Sequence, residues 1–250
     1  MTLEKINLVI STVWREENYL DATLDSLAPE YPTLSDQPVC LVVGSPTTTY
    51  LERYKSQPGI SVIEMGPNTW SFIKNNHVVH RAAWNYYRCL TQPPSGERGT
   101  LVFEDDVRFA RGWRNRLNAA LVELEDRFTS NFVLSLYARQ FLVQEAYQSG
   151  LLYVEFPFGQ FIGTQGIYFP SKIRQGFAKY LKAHGVVANT YIYDFLLREY
   201  LMQSGIPLFA TAPCLVQHIG KISAIQYPWH ETANFLEDVT EGATTSFMEA

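Results

Sequence analysis

Thr100 to Phe109 reads TLVFEDDVRF, and no other stretch restricts the fold of this chain as strongly. Leu101, Val102 and Phe103 form the apolar run of a buried strand. Glu104, Asp105 and Asp106 follow at once, before Val107 and Phe109 restore apolar character. Adjacent carboxylates repel one another, and the end of a buried strand is a costly place for them. Either the chain turns them into solvent as an acidic turn, or basic side chains or a metal ion compensate them. Oxygen ligands suit a hard cation such as Mg2+ or Mn2+, typically held by one or two carboxylates and completed by substrate phosphates. The stretch alone leaves both possibilities open.

The order of the other elements decides what surrounds this turn. Ile6–Ile10 (INLVI) is a β-branched run ending in Ser11-Thr12 and predicts a first buried strand. Leu20, Leu24 and Leu27 recur at helical spacing, predicting a helix from Glu16 to Leu27, closed by Pro29 and Pro32. Val39–Val43 and Ile60–Ile63 are further strands, stopped by Gly44-Ser45-Pro46 and Gly66-Pro67, and Asn75–Leu90 carries an amphipathic helical pattern. Beyond the acids, Arg111–Phe128, Lys172–Ala183 and Tyr193–Gln203 predict helices. Phe132–Leu136, Leu151–Phe158, Gly166–Phe169 and Leu208–Ala210 predict strands.

Such alternation predicts an α/β fold, a single domain with a mostly parallel central sheet flanked by helices. In such sheets ligands collect beyond the carboxyl ends of the strands. Ser11-Thr12, Gly44-Ser45 and Glu104–Asp106 all fall at such ends, which favours a functional role for the acids. The expected domain runs over residues 1–230, with a polar, loose tail at 231–250.

Composition narrows the class. The chain has 250 residues, of which 46% are hydrophobic and 18% charged, so it folds around a substantial core. Its net charge of −5, without any Lys/Arg-rich run, argues against nucleic acid as a partner. Cys40, Cys89 and Cys214 are widely spaced in apolar surroundings, which predicts buried free thiols in a reducing compartment. The sequence shows no signal peptide and no long apolar run, predicting a cytoplasmic protein without a transmembrane segment. It has no Gly-x-Ser-x-Gly elbow, Walker loop or Gly-x-Gly-x-x-Gly fingerprint, which argues against the enzymes built on them.

Individual residues carry two readings each. His218, in CLVQHIGKIS, is either a satisfied core histidine or a second metal ligand beside the acids. Asp194 opens an apolar helix, where a carboxylate is favourable to the helix dipole; it is also placed to act as a general base. Arg15 either faces a phosphate or forms a salt bridge, and Arg81 fits a solvated helix face. The Gly163–Gly166 loop (GTQG) permits close backbone approach to a ligand.

Four segments together resemble a known family. Thr12, Val13, Arg15 and Glu16, followed by Tyr19-Leu20 and by Thr23, Leu24, Ser26 and Leu27, resemble the opening of nucleotide-sugar glycosyltransferases with the GT-A fold. The likeness is greatest to the branching β-1,4-N-acetylglucosaminyltransferases of N-glycan processing, the N-acetylglucosaminyltransferase IV type. FEDDV resembles the acidic metal motif of that group. YDFLL resembles its Asp-Trp-Leu-Leu segment, with Phe195 where the group has Trp, and CLVQHIGKIS resembles its Leu-x-Gln-His-x-Gly-x-x-Ser segment. The matches keep their order and run from about Asn7 to Ser223.

The resemblance implies a GT-A domain with a nucleotide-sugar side at about 1–110 and an acceptor side at about 111–230. It implies inverting transfer of a sugar, N-acetylglucosamine first among candidates, from a UDP-sugar to a glycan or other hydroxyl acceptor. Asp106 and His218 would hold Mn2+ or Mg2+, Glu104 and Asp105 would hold the ribose or position the metal shell, and Thr12 and Arg15 would line the nucleotide side. Asp194 would deprotonate the acceptor. Another nucleotide-sugar donor (galactose, glucose, or GDP- or CMP-linked) and a non-catalytic binding protein of the same fold are the alternatives. The likeness implies a compact soluble relative of the group.

Overall fold

A computed structural model describes residues 6–30, 39–46, 51–94, 98–139, 141–187, 192–221, 230–232 and 234–239. Strands β1 (Ile6–Thr12), β2 (Val39–Pro46), β3 (Ile60–Met65) and β4 (Gly99–Glu104) form the first half of an eight-stranded sheet. β1 lies between β2 and β4 and runs parallel to both, and β3 pairs parallel with β2. The register sets Ser11 beside both Val42 and Glu104, so the carboxyl ends of β1, β2 and β4 share one edge.

The second half is mixed. β6 (Val133–Ser135), β7 (Tyr153–Glu155), β8 (Gly166–Phe169) and β9 (Leu208–Thr211) extend the sheet in the order β3-β2-β1-β4-β8-β6-β9-β7. β8 is antiparallel to β4 and β6, β9 is parallel to β6, and β7 is antiparallel to β9. A small second sheet joins β5 (Val107–Phe109) to β10 (Val216–His218) in antiparallel register.

Helices cover both sheet faces because the strands are apolar on both sides. Leu8, Ile10, Leu101 and Phe103 face α1 (Leu20–Leu27) and α5 (Trp113–Phe128). Val9, Val42 and Val102 belong to the opposite core, with α4 (Val78–Thr91), α7 (Ser171–Leu181) and α8 (Tyr193–Ser204). On α5 the residues Trp113, Leu117, Ala120, Leu121 and Leu124 recur on one face and are fully buried. Each leucine there contributes about 1.5–3 kcal/mol of burial. All three cysteines are buried and free. Among the described residues no helix is long and apolar enough to cross a membrane.

Several features depart from the sequence expectations, among them the second sheet of β5 and β10, which was not expected. α1 starts at Leu20, not after Arg15, because Asn18 Oδ1 accepts the Leu20 N–H at 3.1 Å and the preceding residues wrap towards the acids. The short helices α2 (Glu52–Lys55), α3 (Pro67–Ile73) and α6 (Leu142–Gln148) were not expected. The last is a correction of the loose tail. Thr232, Asn234 and Val239 are buried, and backbone bonds tie Asn234 to Cys214 and residues 237 and 239 to Arg111. Pro32, Ser223 and the tail beyond Val239 lie outside the described residues.

Candidate active site

The acidic triplet is the hinge between the two sheets. Glu104 ends β4, Asp105-Asp106 make the turn, and Val107 starts β5. α1 clamps this turn: Thr23 Oγ1 lies 2.8 Å from the carbonyl oxygens of Asp105 and Val107, between which its one proton is shared, and accepts the Val107 N–H at 3.2 Å. β10 pairs His218 with Val107, and Ile219 N–H donates to Asp106 O at 2.8 Å, so a residue over a hundred positions away is fixed beside the turn. The chain leaves this point through Gly220, where a Cβ would sit 2.2 Å from Asp106 Oδ2. Only glycine lets the backbone pass that carboxylate without displacing it.

Each acid has different partners. Asp105 accepts from Thr12 Oγ1 at 2.6 Å and from the Val13 N–H at 3.3 Å, and it pairs with Arg15 Nη2. Asp106 Oδ2 lies 2.8 Å from Arg15 Nη1 and 3.4 Å from His218 Nε2, while Asp106 Oδ1 is buried with no hydrogen-bond partner among the described residues. Glu104 Oε1 accepts from Thr164 Oγ1 and Tyr193 Oη, both at 2.9 Å.

The electrostatics follow from these contacts. Burial pushes Glu104 up to about 7, helped by the charge of Asp106. Burial likewise lifts Asp105 to about 6 despite Arg15. Asp106 goes the other way: burial opposes its ionisation, but the hydrogen bond from His218 and the charge of Arg15 hold it below the usual carboxylate range. For His218, burial disfavours the cation, yet the bond and charge of Asp106 raise it above its ordinary value. Asp106 is thus the acid kept as an anion.

The residues fit a divalent cation. His218 Nδ1 lies 3.0 Å from the His230 carbonyl oxygen, which can only accept, so Nδ1 carries the proton. In neutral His218 the Nε2 lone pair then faces the Asp106 carboxylate, whose other oxygen is unpartnered. A divalent cation can take the place of the Nε2 proton that links His218 to Asp106 in the protonated form, and carboxylate oxygen with imidazole nitrogen suits Mn2+ or Mg2+. Among the described residues no group of three or more His, Cys, Asp or Glu side chains could hold an ion. Such an ion would therefore need ligands from a substrate.

Glu104, Asp105, Asp106 and His218 border a cavity of ≈ 400 Å³ that also reaches Asp194. Asp194 sits in the first turn of α8, where Oδ1 accepts the Phe195 N–H at 2.8 Å and Oδ2 accepts the Gly163 N–H at 3.2 Å. Its helix-terminal and cavity-facing positions are therefore compatible. Burial raises its pKa against those amide bonds. Gly163 has φ +92° and packs against the Gln165 side chain, and the GTQG loop borders the cavity.

Arg15 borders both this cavity and a second one of ≈ 410 Å³, lined by Trp14, Ser45, Trp70 and Arg81. Arg15 thus forms the salt bridge of its two alternatives, and it also faces the cavities. Thr12 does not border either cavity; it is 1% exposed and braces Asp105 from behind, its hydroxyl donating to that buried carboxylate. The sequence did not single out Thr164, Tyr193 or His230. Tyr193 was signalled only by its place next to Asp194 and Thr164 only by its place in the GTQG loop, and nothing local marks His230.

The parallel half-sheet, the acid turn at the end of β4 and the mixed second half are those of the GT-A fold. The chain is similar in structure to S. aureus TarS residues 1–349, with 15% identity over 85% of this chain and 58% of that one at a TM-score of 0.50. The same fragment in complex with UDP-GlcNAc matches at 16% identity over 83% and 56%, with a TM-score of 0.50. GalNAc-T7 with UDP, GalNAc and Mn2+ matches at 11% identity over 90% and 45%, with a TM-score of 0.58. The chain thus spans 45–58% of the length of these structures. No protein-family model and no curated protein matches it.

Proposed function

We propose that this protein is a metal-dependent inverting glycosyltransferase that moves N-acetylglucosamine from UDP-N-acetylglucosamine to a hydroxyl of a glycan or similar acceptor. One observation carries the reading: a single cavity sets the Asp106–His218 pair, with its unpartnered carboxylate oxygen, together with a separate buried carboxylate, Asp194. The fold shared with structures of TarS with UDP-GlcNAc and GalNAc-T7 with UDP and Mn2+ supports the nucleotide-sugar class. The narrower likeness to the N-acetylglucosaminyltransferase IV type is supported by the four sequence segments.

In this mechanism the nucleoside lies towards Trp14, Ser45 and Trp70, and the diphosphate lies over the acid turn. Asp106 and His218 would hold the divalent ion, which supplies positive charge to the diphosphate leaving group. Asp194 accepts the proton of the acceptor hydroxyl as its oxygen bonds to the anomeric carbon. The bond from that carbon to the phosphate oxygen breaks, and its electrons leave with UDP. A base on the acceptor side, apart from the diphosphate, is what an in-line displacement requires. Arg15 holds Asp105 and Asp106 in place beneath the donor.

Incubation with UDP-sugars should give UDP release that requires Mn2+ or Mg2+ and stops with a chelator, fastest with UDP-N-acetylglucosamine. Equal release in excess chelator would remove the metal from the account. A preference for another nucleotide in thermal-shift titrations would reassign the donor.

A further inference from the structure

His218 owes its tautomer to a contact outside the acid turn. The contact is the His230 carbonyl, on a segment that returns to β10 after residues 222–229. Tyr137 Oη, 2.7 Å from His230 Nδ1, holds the ring of that residue, and Gln217 docks the backbone that follows it. Gln217 Oε1 accepts the Thr232 N–H at 2.9 Å, and Gln217 Nε2 donates to the Thr232 carbonyl at 3.1 Å. The same Oε1 accepts the backbone N–H of His218 at 3.1 Å. A primary amide can pair with both backbone groups of one residue, so Gln217 acts as one rung of a β-ladder made from a side chain. Neighbouring bonds support the docking, with Thr232 Oγ1 accepting the Asn234 N–H at 3.1 Å and Thr232 itself only 3% exposed.

We propose that Gln217 is a positioning residue: by clamping Thr232 it sets the His230 carbonyl against His218 Nδ1 and thereby fixes the His218 tautomer, with Nε2 presented to the Asp106 side. Histidines that bind metals depend on a partner at the other ring nitrogen for orientation and basicity. In this chain that partner is a backbone carbonyl, so its position depends on how the segment is docked, through Gln217 at Thr232 and through the contact of Tyr137 Oη with His230 Nδ1. The clamp needs both a donor and an acceptor. Glutamate in place of Gln217 would keep the acceptor but oppose a second oxygen to the Thr232 carbonyl, and methionine would keep the volume while losing both bonds. The tautomer is a property of the metal-free protein; its consequence for metal binding rests on the function proposed above.

The test uses the full chain labelled with 15N-histidine, free of metal, at a pH above the His218 titration. Long-range 1H–15N spectra of the wild type should show His218 protonated at Nδ1 with Nε2 bare. Gln217→Met and Gln217→Glu should give a mixture of tautomers while circular dichroism and melting report a retained fold. Titration with Mn2+ alone, followed by electron paramagnetic resonance, should show roughly 10- to 100-fold weaker binding in both variants. A wild type protonated at Nε2 overturns the proposal without any variant, even if the variants fail to fold. Variants that keep the wild-type tautomer overturn it too. If the wild type binds no Mn2+ but the tautomers change as expected, the clamp stands and the metal reading falls.

Discussion

The two ends of the main cavity treat a buried carboxylate in opposite ways. At one end Asp106 meets the Arg15 guanidinium and His218, and its pKa lies below the ordinary range despite burial. At the other end Asp194 is similarly enclosed, at 9% exposure; among the described residues its carboxylate accepts from the backbone amides of Gly163 and Phe195, with the Arg198 charge a smaller influence, and its pKa lies above that range. Burial alone raises both acids, so the difference comes from full cationic charge as against amide dipoles. The contrast separates two tasks within one cavity. An anion that stays ionised can hold a cation, and a carboxylate that takes up protons readily can serve as a base.

Substitutions at the two ends should therefore fail differently. Asp194→Asn should lower kcat by about 10²–10⁴-fold while Mn2+ and UDP binding, measured by calorimetry, stay near wild type. The sign of its pH dependence follows from the raised pKa. Transfer needs the ionised form, so activity should be full above that pKa and fall as pH drops through it, at a higher pH than an ordinary aspartate near about 3.9 would give. A fully active Asp194→Asn with an unchanged profile would dissolve the contrast. Asp106→Asn should reduce metal-dependent UDP release by about 10²–10³-fold and also abolish Mn2+ binding, which Asp194→Asn should not do.

The cationic end can also be probed through stability. Arg15 is paired with Asp105 and Asp106, and its side chain is 14% exposed. Arg15→Ala leaves buried carboxylates uncompensated and should cost about 3–5 kcal/mol in denaturant unfolding. Lysine should recover only part of this, because it lacks the planar fork that reaches both acids. The smallest effect is expected at Tyr193, whose hydroxyl bonds Glu104 at 2.9 Å. Tyr193→Phe should cost about 1 kcal/mol by the same measurement. A loss as large as that of Arg15→Ala would mean that the acid turn depends on neutral hydrogen bonds as much as on charge.

The same division explains what the sequence could disclose. The parallel half-sheet follows from β-branched runs that fix β1, β2 and β4 locally, and their order puts the acids at a strand end. Asp106 and Asp194 stand out because carboxylates at the edges of apolar runs are costly. The partners that set their properties do not stand out, since Thr164 and Tyr193 reach Glu104 only across the completed sheet. The short α2, α3 and α6 carry too few turns for a clear period. Residues from 231 onwards read as a polar tail, yet Thr232, Asn234, Glu237 and Val239 dock through backbone hydrogen bonds, which leave no trace in hydropathy. The start of α1 was misplaced for a related reason: Arg15 is a good helix former drawn instead into a tertiary ion pair.

The central claim is that Asp106 and His218 share a cation with the donor's diphosphate. Crystals grown with UDP and Mn2+, measured at the manganese absorption edge, test it directly. The account predicts one anomalous peak bonded to an Asp106 carboxylate oxygen and to His218 Nε2, with a phosphate oxygen of UDP completing the set. UDP bound over the acid turn with no manganese at Asp106, or with the ion bonded to neither residue, would contradict it.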